Sequence, residues 1–220
     1  MNDKLKILFE DECIIVIDKP RALATQSSKS YEKDVVSLLK EHIKKENPKL
    51  KKEPLVGVVH RLDQPVRGIL VFAKNQKCAA NLSTQAAGDI MNKHYYAKVE
   101  GILEDNEERE LTDMIYKDSS TNKATIGNDK SAKKATLIYK VVAADVSDNS
   151  TLVEVFLKTG RFHQIRAQFS NIGHPIFGDR KYGSNRDFPG GIALLAYKLS
   201  FVHPTCGKQV EFVIDSDIYI

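Results

Sequence analysis

The apolar positions of this chain fall into short blocks at two spacings, and the blocks predict a series of elements. ILFEDECIIVID, residues 7–18, reads as a strand, an acidic turn and a second strand; Lys19-Pro20 closes it, because proline has no N–H to give to a ladder. In residues 30–45, Val35, Val36, Leu39 and Ile43 share one face at helical spacing with Leu38 at its edge, and Ser30 is placed to cap that helix. NPKLKKEP, residues 47–54, is a charged connector. The apolar run 69–73 predicts a strand and residues 76–87 a helix. YYAKVEG, residues 95–101, alternates as a strand does, with Tyr95, Ala97 and Val99 on the inward face and Tyr96, Lys98 and Glu100 on the wet one.

From 103 to 134 the chain is polar and reads as a long loop or exposed hairpin, with the strand pattern resuming directly after it. Residues 136–142 and 151–157 predict strands, 161–171 a helix opened by Thr159-Gly160, and 192–202 and 210–214 two further strands. Strands come in runs and do not alternate strictly with helices. That pattern predicts an α+β fold, with residues 1–220 as a single domain built on one mixed, largely antiparallel sheet with flanking helices.

Composition narrows the classes. Hydrophobic content of 42% and charged content of 28% are those of a soluble globular chain. No apolar run is long enough to span a bilayer, and the N-terminal stretch is broken by acids and so does not read as a signal peptide; the cytoplasm is the expected location. Cys13, Cys78 and Cys206 are odd in number, widely spaced and without a Cys-x-x-Cys, which argues against a disulfide framework and against a structural zinc. A net charge of +4 permits nucleic-acid binding without demonstrating it. Lys40, Lys44, Lys45, Lys49, Lys51 and Lys52 cluster, as do Lys130, Lys133 and Lys134, but a solvated face explains such clusters more often than a ligand does.

The chemistry concentrates in VVHRLDQPVRGILVFAKN, residues 58–75, where an apolar run stops at His-Arg-Leu-Asp, bends at Pro65 and Gly68, and re-enters a strand. At this motif the sequence resembles the RluA-type pseudouridine synthases, along nearly its whole length. The opening strand pair ending in Lys19-Pro20, KHYYAKVEG (93–101), KKATLIYKVV (133–142), LKTGRFHQIRAQFSNIGHPIFGDRKYG (157–183) and ALLAYKLSFVHP (193–204) are similar to that family's motifs in the same order. The resemblance begins within the first few residues, so the small S4 RNA-binding domain that many relatives carry in front is expected to be absent. The sequence departs from the family pattern at Pro65-Val66-Arg67-Gly68, where Asp-Thr-Ser-Gly is usual, at Phe162 in place of threonine, and at Leu195 in place of histidine. These positions bear on substrate identity more than on reaction class.

The resemblance implies an isomerase that converts specific uridines of structured ribosomal or transfer RNA to pseudouridine. The reaction breaks a C–N glycosidic bond, turns the base and forms a C–C bond. It needs no cofactor, which suits a chain with no glycine-rich nucleotide loop and no metal-ligand cluster. The resemblance assigns Asp63 as the catalytic carboxylate, although an aspartate after a strand on its own more often caps a turn. It assigns Arg166 as the cation that keeps Asp63 ionised against burial, with Arg161, at the glycine turn, as the rival; a bond to a loop carbonyl is the plainer reading of Arg161.

The resemblance also implies a cleft that takes the flipped-out base. It aligns Tyr95 with the family's active-site tyrosine, and alternation independently faces Tyr95 inward. Arg61 matches the residue that fills the hole left by the flipped base, with a salt bridge to a local acid as its ordinary alternative. Leu194 is a weaker candidate for the floor under the uracil. Lys19, His60 and Gly68 are expected to support the loop, and Gly68 to supply a backbone angle that other residues resist. His163 is expected to pack or to bond backbone, and the Gly178-Asp179 loop to be architectural. RNA is the expected partner, with no membrane and no protein partner, and a monomer is expected.

Two other readings compete. A non-catalytic RNA-binding module of the same fold would keep basic surface without needing Asp63. A metal-dependent hydrolase would draw on His60, His163, His174 and His203, but no His-x-x-x-His pair supports it.

Overall fold

A computed structural model describes residues 5–27, 32–88, 90–103 and 107–218. In chain order the first elements are β1 (Lys6–Glu10), β2 (Ile14–Lys19), α1 (Val35–Glu46), β3 (Gly57–Val58), β4 (Arg67–Ala73), α2 (Gln76–Ala87) and β5 (Asn92–Glu100). They are followed by β6 (Arg109–Asp118), β7 (Lys123–Ile126), β8 (Lys133–Asp145), β9 (Ser150–Leu157), α3 (Gln164–Asn171), β10 (Leu194–Val202) and β11 (Gln209–Val213). The fold is α+β with a largely antiparallel sheet, as the strand runs predict. By contact the residues group into two compact units, 1–91 with 197–214 and 92–196 with 215–220.

In the first unit β1 and β2 are antiparallel across a turn in which Asp11 Oδ1 accepts the N–H groups of Cys13 (2.7 Å) and Ile14 (2.8 Å). Every residue of β2 is buried, which is why it reads as a continuous apolar run and not as an alternation. It pairs with β4 from Ile14↔Ala73 to Lys19↔Gly68. The strand order is β1-β2-β4-β10, with β3 on β4 and β11 on β10. Val35, Leu39 and Ile43 of α1 are buried, so the predicted stripe is core, and Leu82 of α2 is buried as well. Helix α1 starts with its stripe at Val35, later than the Ser30 cap expected from sequence, and is capped by Asp34. Asp34 accepts from Ser37 N at 2.7 Å while Ser37 Oγ accepts from Asp34 N at 3.0 Å, a reciprocal cap. Ser30, expected as the cap, lies outside the described residues.

The expectation against a disulfide is overturned: Cys13 and Cys78 are bonded, with Cα atoms 6.0 Å apart and a sequence separation of 65. The register of β2 on β4 is the cause. It sets the residue before β2 beside the residues after β4, where Lys74 N donates to Cys13 O at 2.8 Å, and the first turn of α2 then delivers Cys78.

In the second unit the strand order is β10-β5-β9-β8-β6-β7. Within 103–134, which the sequence leaves between loop and hairpin, β6 and β7 pair antiparallel from Ile115↔Ile126 to Asp118↔Lys123. Strand β5 alternates as predicted: Tyr95, Ala97 and Val99 are buried while Tyr96, Lys98 and Glu100 are half-buried. Helix α3 is shorter than predicted. His163, at its N-cap, has a left-handed φ of 49°, so the segment from Arg161 serves as a turn into the helix and not as its first residues.

Candidate active site

The loop carrying Asp63 is fixed from several sides within the first unit. The β3–β4 ladder ends at Val58↔Phe72, and the His60 ring takes the next donor, with Nε2 accepting from Val71 N at 3.2 Å. Leu62 is buried, and Thr25 holds its main chain: the Thr25 hydroxyl donates to Leu62 O at 2.8 Å and accepts from Leu62 N at 3.3 Å. Asp63 O accepts from Val66 N at 3.0 Å, closing the turn that contains Pro65. The His60 and Leu62 side chains are thus committed to the scaffold, and Asp63 itself is half-buried.

Lys19 lies beneath this turn and is 0% exposed. Its Nζ donates to Pro20 O (2.9 Å), Leu23 O (2.8 Å) and Gln64 O (3.2 Å), joining the end of β2 to the residue after Asp63. Burial pushes its pKa down to about 7, and the nearby Asp63 carboxylate opposes that shift. Gly68, paired with Lys19, has φ 145°, a backbone angle that a side chain resists. Arg67, at one of the departures from the family pattern, pairs with Asp18 through Nε–Oδ1 (3.2 Å) and Nη2–Oδ2 (2.8 Å). Arg61 is exposed, and among the described residues it makes no ion pair, so the local salt bridge that would have explained it is not formed.

The second unit holds Tyr95, Leu194 and Arg166. Tyr95 is 6% exposed, opposite Val155 on β9, and Leu194 is buried at the start of β10. Arg166 is buried in the first turn of α3. Its Nε donates to Asp179 Oδ2 at 2.6 Å and its Nη2 to Asp179 Oδ1 at 2.8 Å, a two-point fork. Its guanidinium lies 4.9 Å from the centroid of the Tyr182 ring. Tyr182 is fixed in turn, because its hydroxyl accepts from Ala124 N at 2.7 Å and lies 2.9 Å from His163 Nδ1.

His163 packs as expected, its ring stacking on Phe162 with centroids 3.7 Å apart, and its Nδ1 lies 2.9 Å from the Tyr182 hydroxyl. Arg161 donates from Nε to Lys134 O at 2.9 Å, the loop-carbonyl bond expected for it. The Gly178-Asp179 turn is tight: φ of Gly178 is 79°, and a Cβ there would stand 2.5 Å from Gly191 O.

Lys19, His60, Arg61 and Asp63 thus gather in one unit, and Tyr95, Leu194 and Arg166 belong to the other. Sequence reasoning missed what Thr25, Asp179 and Tyr182 do. Asp179 and Tyr182 stand in the quoted GDRKYG stretch, the one signal that could have raised them; Thr25 carries none. The four histidines of the hydrolase reading have separate partners: His60 the Val71 amide, His163 Tyr182, His174 the Glu100 carbonyl (2.7 Å) and His203 the Asp11 carboxylate (3.0 Å).

The family model described as RNA pseudouridylate synthase matches residues 13–171, which include the Asp63 loop, Tyr95 and Arg166. The chain belongs to the RNA pseudouridylate synthase family. It is 33% identical over 222 residues to ribosomal large subunit pseudouridine synthase D of Zymomonas mobilis, covering 94% of this chain and 68% of that protein. It is 30% identical to tRNA pseudouridine synthase C of Vibrio vulnificus, covering 97% of this chain and 91% of that one. The solved structure of human RNA pseudouridylate synthase domain containing 4 shares the fold with a TM-score of 0.76 at 21% identity, over 96% of this chain and 88% of that one. For a family member, a half-buried carboxylate on a turn held by Lys19, Thr25 and His60 is a group whose position the scaffold dictates before substrate arrives.

Proposed function

We propose that this family member isomerises specific uridines in structured ribosomal or transfer RNA to pseudouridine, in the cytoplasm and without a cofactor, with Asp63 as the catalytic carboxylate. The observation that carries the reading is the Asp63 turn. Its flanking residues are buried or bonded to main chain, yet Asp63 remains half-exposed, which suits a group that must meet a substrate. Tyr95 supplies the flat face for the extruded base, Leu194 an apolar floor, and Arg166 a fixed positive charge. Arg61, long, planar and uncommitted among the described residues, fills the gap that the base leaves. Lys19 and His60 hold the loop.

The named relatives act on ribosomal RNA in one case and transfer RNA in the other, so both classes are carried forward. The test is a pseudouridine map of total RNA from cells with and without the protein. A site that vanishes on deletion, and returns with wild type but not with Asp63→Asn, gives reaction and substrate together. An unchanged map overturns the reading in favour of an RNA-binding module.

A further inference from the structure

Cys13, Cys78 and Cys206, all the cysteines of the chain, line one cavity of about 700 Å3 in the first unit. Cys13 and Cys78 are 3% and 5% exposed, whereas Cys206 is a free, exposed thiol. The segments that carry them are tied together. His203 Nε2 lies 3.0 Å from Asp11 Oδ2, while Asp11 Oδ1 accepts from Cys13 N at 2.7 Å; on the other side of the ring, His203 Nδ1 accepts from Cys206 N at 3.4 Å. Cys78 sits in the first turn of α2, its N–H bonded to Asn75 Oδ1 at 2.9 Å. Lys77 and Lys208 add positive charge to the cavity wall, beside the acids Asp11 and Glu12.

Two buried thiols are poorly placed to meet an oxidant of tripeptide size, and in the proposed cytoplasmic setting a disulfide is expected to be transient or redox-responsive, not structural. We propose that Cys206 is the uptake site for low-molecular-weight disulfides and passes the oxidation on to Cys13 and Cys78. The Cys206 thiolate attacks a disulfide R–S–S–R. The Cys206–S–R bond forms, and RS− leaves and takes a proton. The Cys78 thiolate then attacks Cys206 Sγ and expels the second RS−. Finally the Cys13 thiolate attacks Cys78 Sγ, forming the observed bond and returning Cys206 as a thiolate. The two protons lost by Cys13 and Cys78 end on two RSH. The pair is oxidised by two electrons and R–S–S–R is reduced by two, so no other reagent is needed.

The test treats the reduced full chain with oxidised glutathione without air and maps disulfides by mass spectrometry over time. The wild type should show a transient glutathione adduct on Cys206 followed by the Cys13–Cys78 bond. In Cys206→Ser that bond should form about tenfold more slowly or less, and Cys13→Ser should stop at Cys78 linked to Cys206. Cys206→Ser forming the bond at the wild-type rate, or a wild-type adduct that accumulates on Cys206 without moving on, overturns the proposal. Because Cys206 is exposed, matched thermal unfolding of Cys206→Ser and wild type is the fold control. The readout is covalent, so it stands apart from any loss of synthase activity.

Discussion

Asp179 holds Arg166 by two hydrogen bonds of 2.6 and 2.8 Å, between side chains that are 1% and 6% exposed. The pair fixes which way the guanidinium of the first turn of α3 points, and the Tyr182 ring supports it from a third direction. An arginine delivered this way has lost its rotamer freedom before any ligand binds, which favours a role in positioning charge.

Removing the carboxylate leaves a buried cation without its two-point partner. Asp179→Ala should therefore destabilise the fold by about 3–5 kcal/mol, read from urea denaturation of the full chain. A loss below about 1 kcal/mol, the range of exposed pairs, would show that the fork contributes little to folding.

Tyr182→Phe deletes one oxygen that accepts from the Ala124 amide at the β6–β7 hairpin and contacts His163. Ala124 is buried, so its N–H is left unsatisfied, and a cost of about 1–3 kcal/mol follows. Hydrogen exchange should show the Ala124 amide losing protection ahead of the core of β8 and β9.

Asp63→Asn keeps the shape of the side chain but not its charge. Pseudouridine formation should fall by at least about a thousandfold, on the scale seen when an essential nucleophile is removed. RNA affinity in a filter-binding titration should stay within a few-fold of wild type. Retained turnover in this variant would remove Asp63 from the chemistry.

Arg61→Ala should raise Kd for RNA and lower the slope of log Kd against log salt by about 0.7–0.9, the loss of one phosphate contact. Unchanged affinity and slope would place Arg61 outside the RNA interface.

Lys19 makes stability depend on pH in a defined direction. Its folded pKa, about 7, lies below the ordinary lysine value of 10.5, so between these values the unfolded chain binds more protons than the folded one. The penalty for burying the charge is fully present below pH 7 and is relieved as pH rises toward 10.5. Relative to Lys19→Met, the wild type should gain stability across that window by at most about 1.4 kcal/mol per pH unit. Denaturant midpoints for the two proteins at pH 7 and 9.5 measure it; parallel midpoints would mean that Lys19 keeps an ordinary pKa in the fold.

The sequence by itself determined what depends on neighbours along the chain. The stripe of α1, the bounds of α2 and the inward face of β5 all follow from side-chain spacing at 3.6 or 2 residues, which the backbone enforces locally. The motif order around Asp63 was equally legible and led to the family. The tertiary structure alone decided pairings between distant segments. Arg67 meets Asp18 across 49 residues, Cys13 meets Cys78 across 65, and Lys19 reaches Gln64 O across 45, all because β2 lies antiparallel to β4 in one register. The Arg166–Asp179 fork likewise needs the left-handed turn at His163 and the positive φ of Gly178 together. Local spacing carries no information on strand register or on a turn's dihedral angles, and those two quantities set which charges share a buried site.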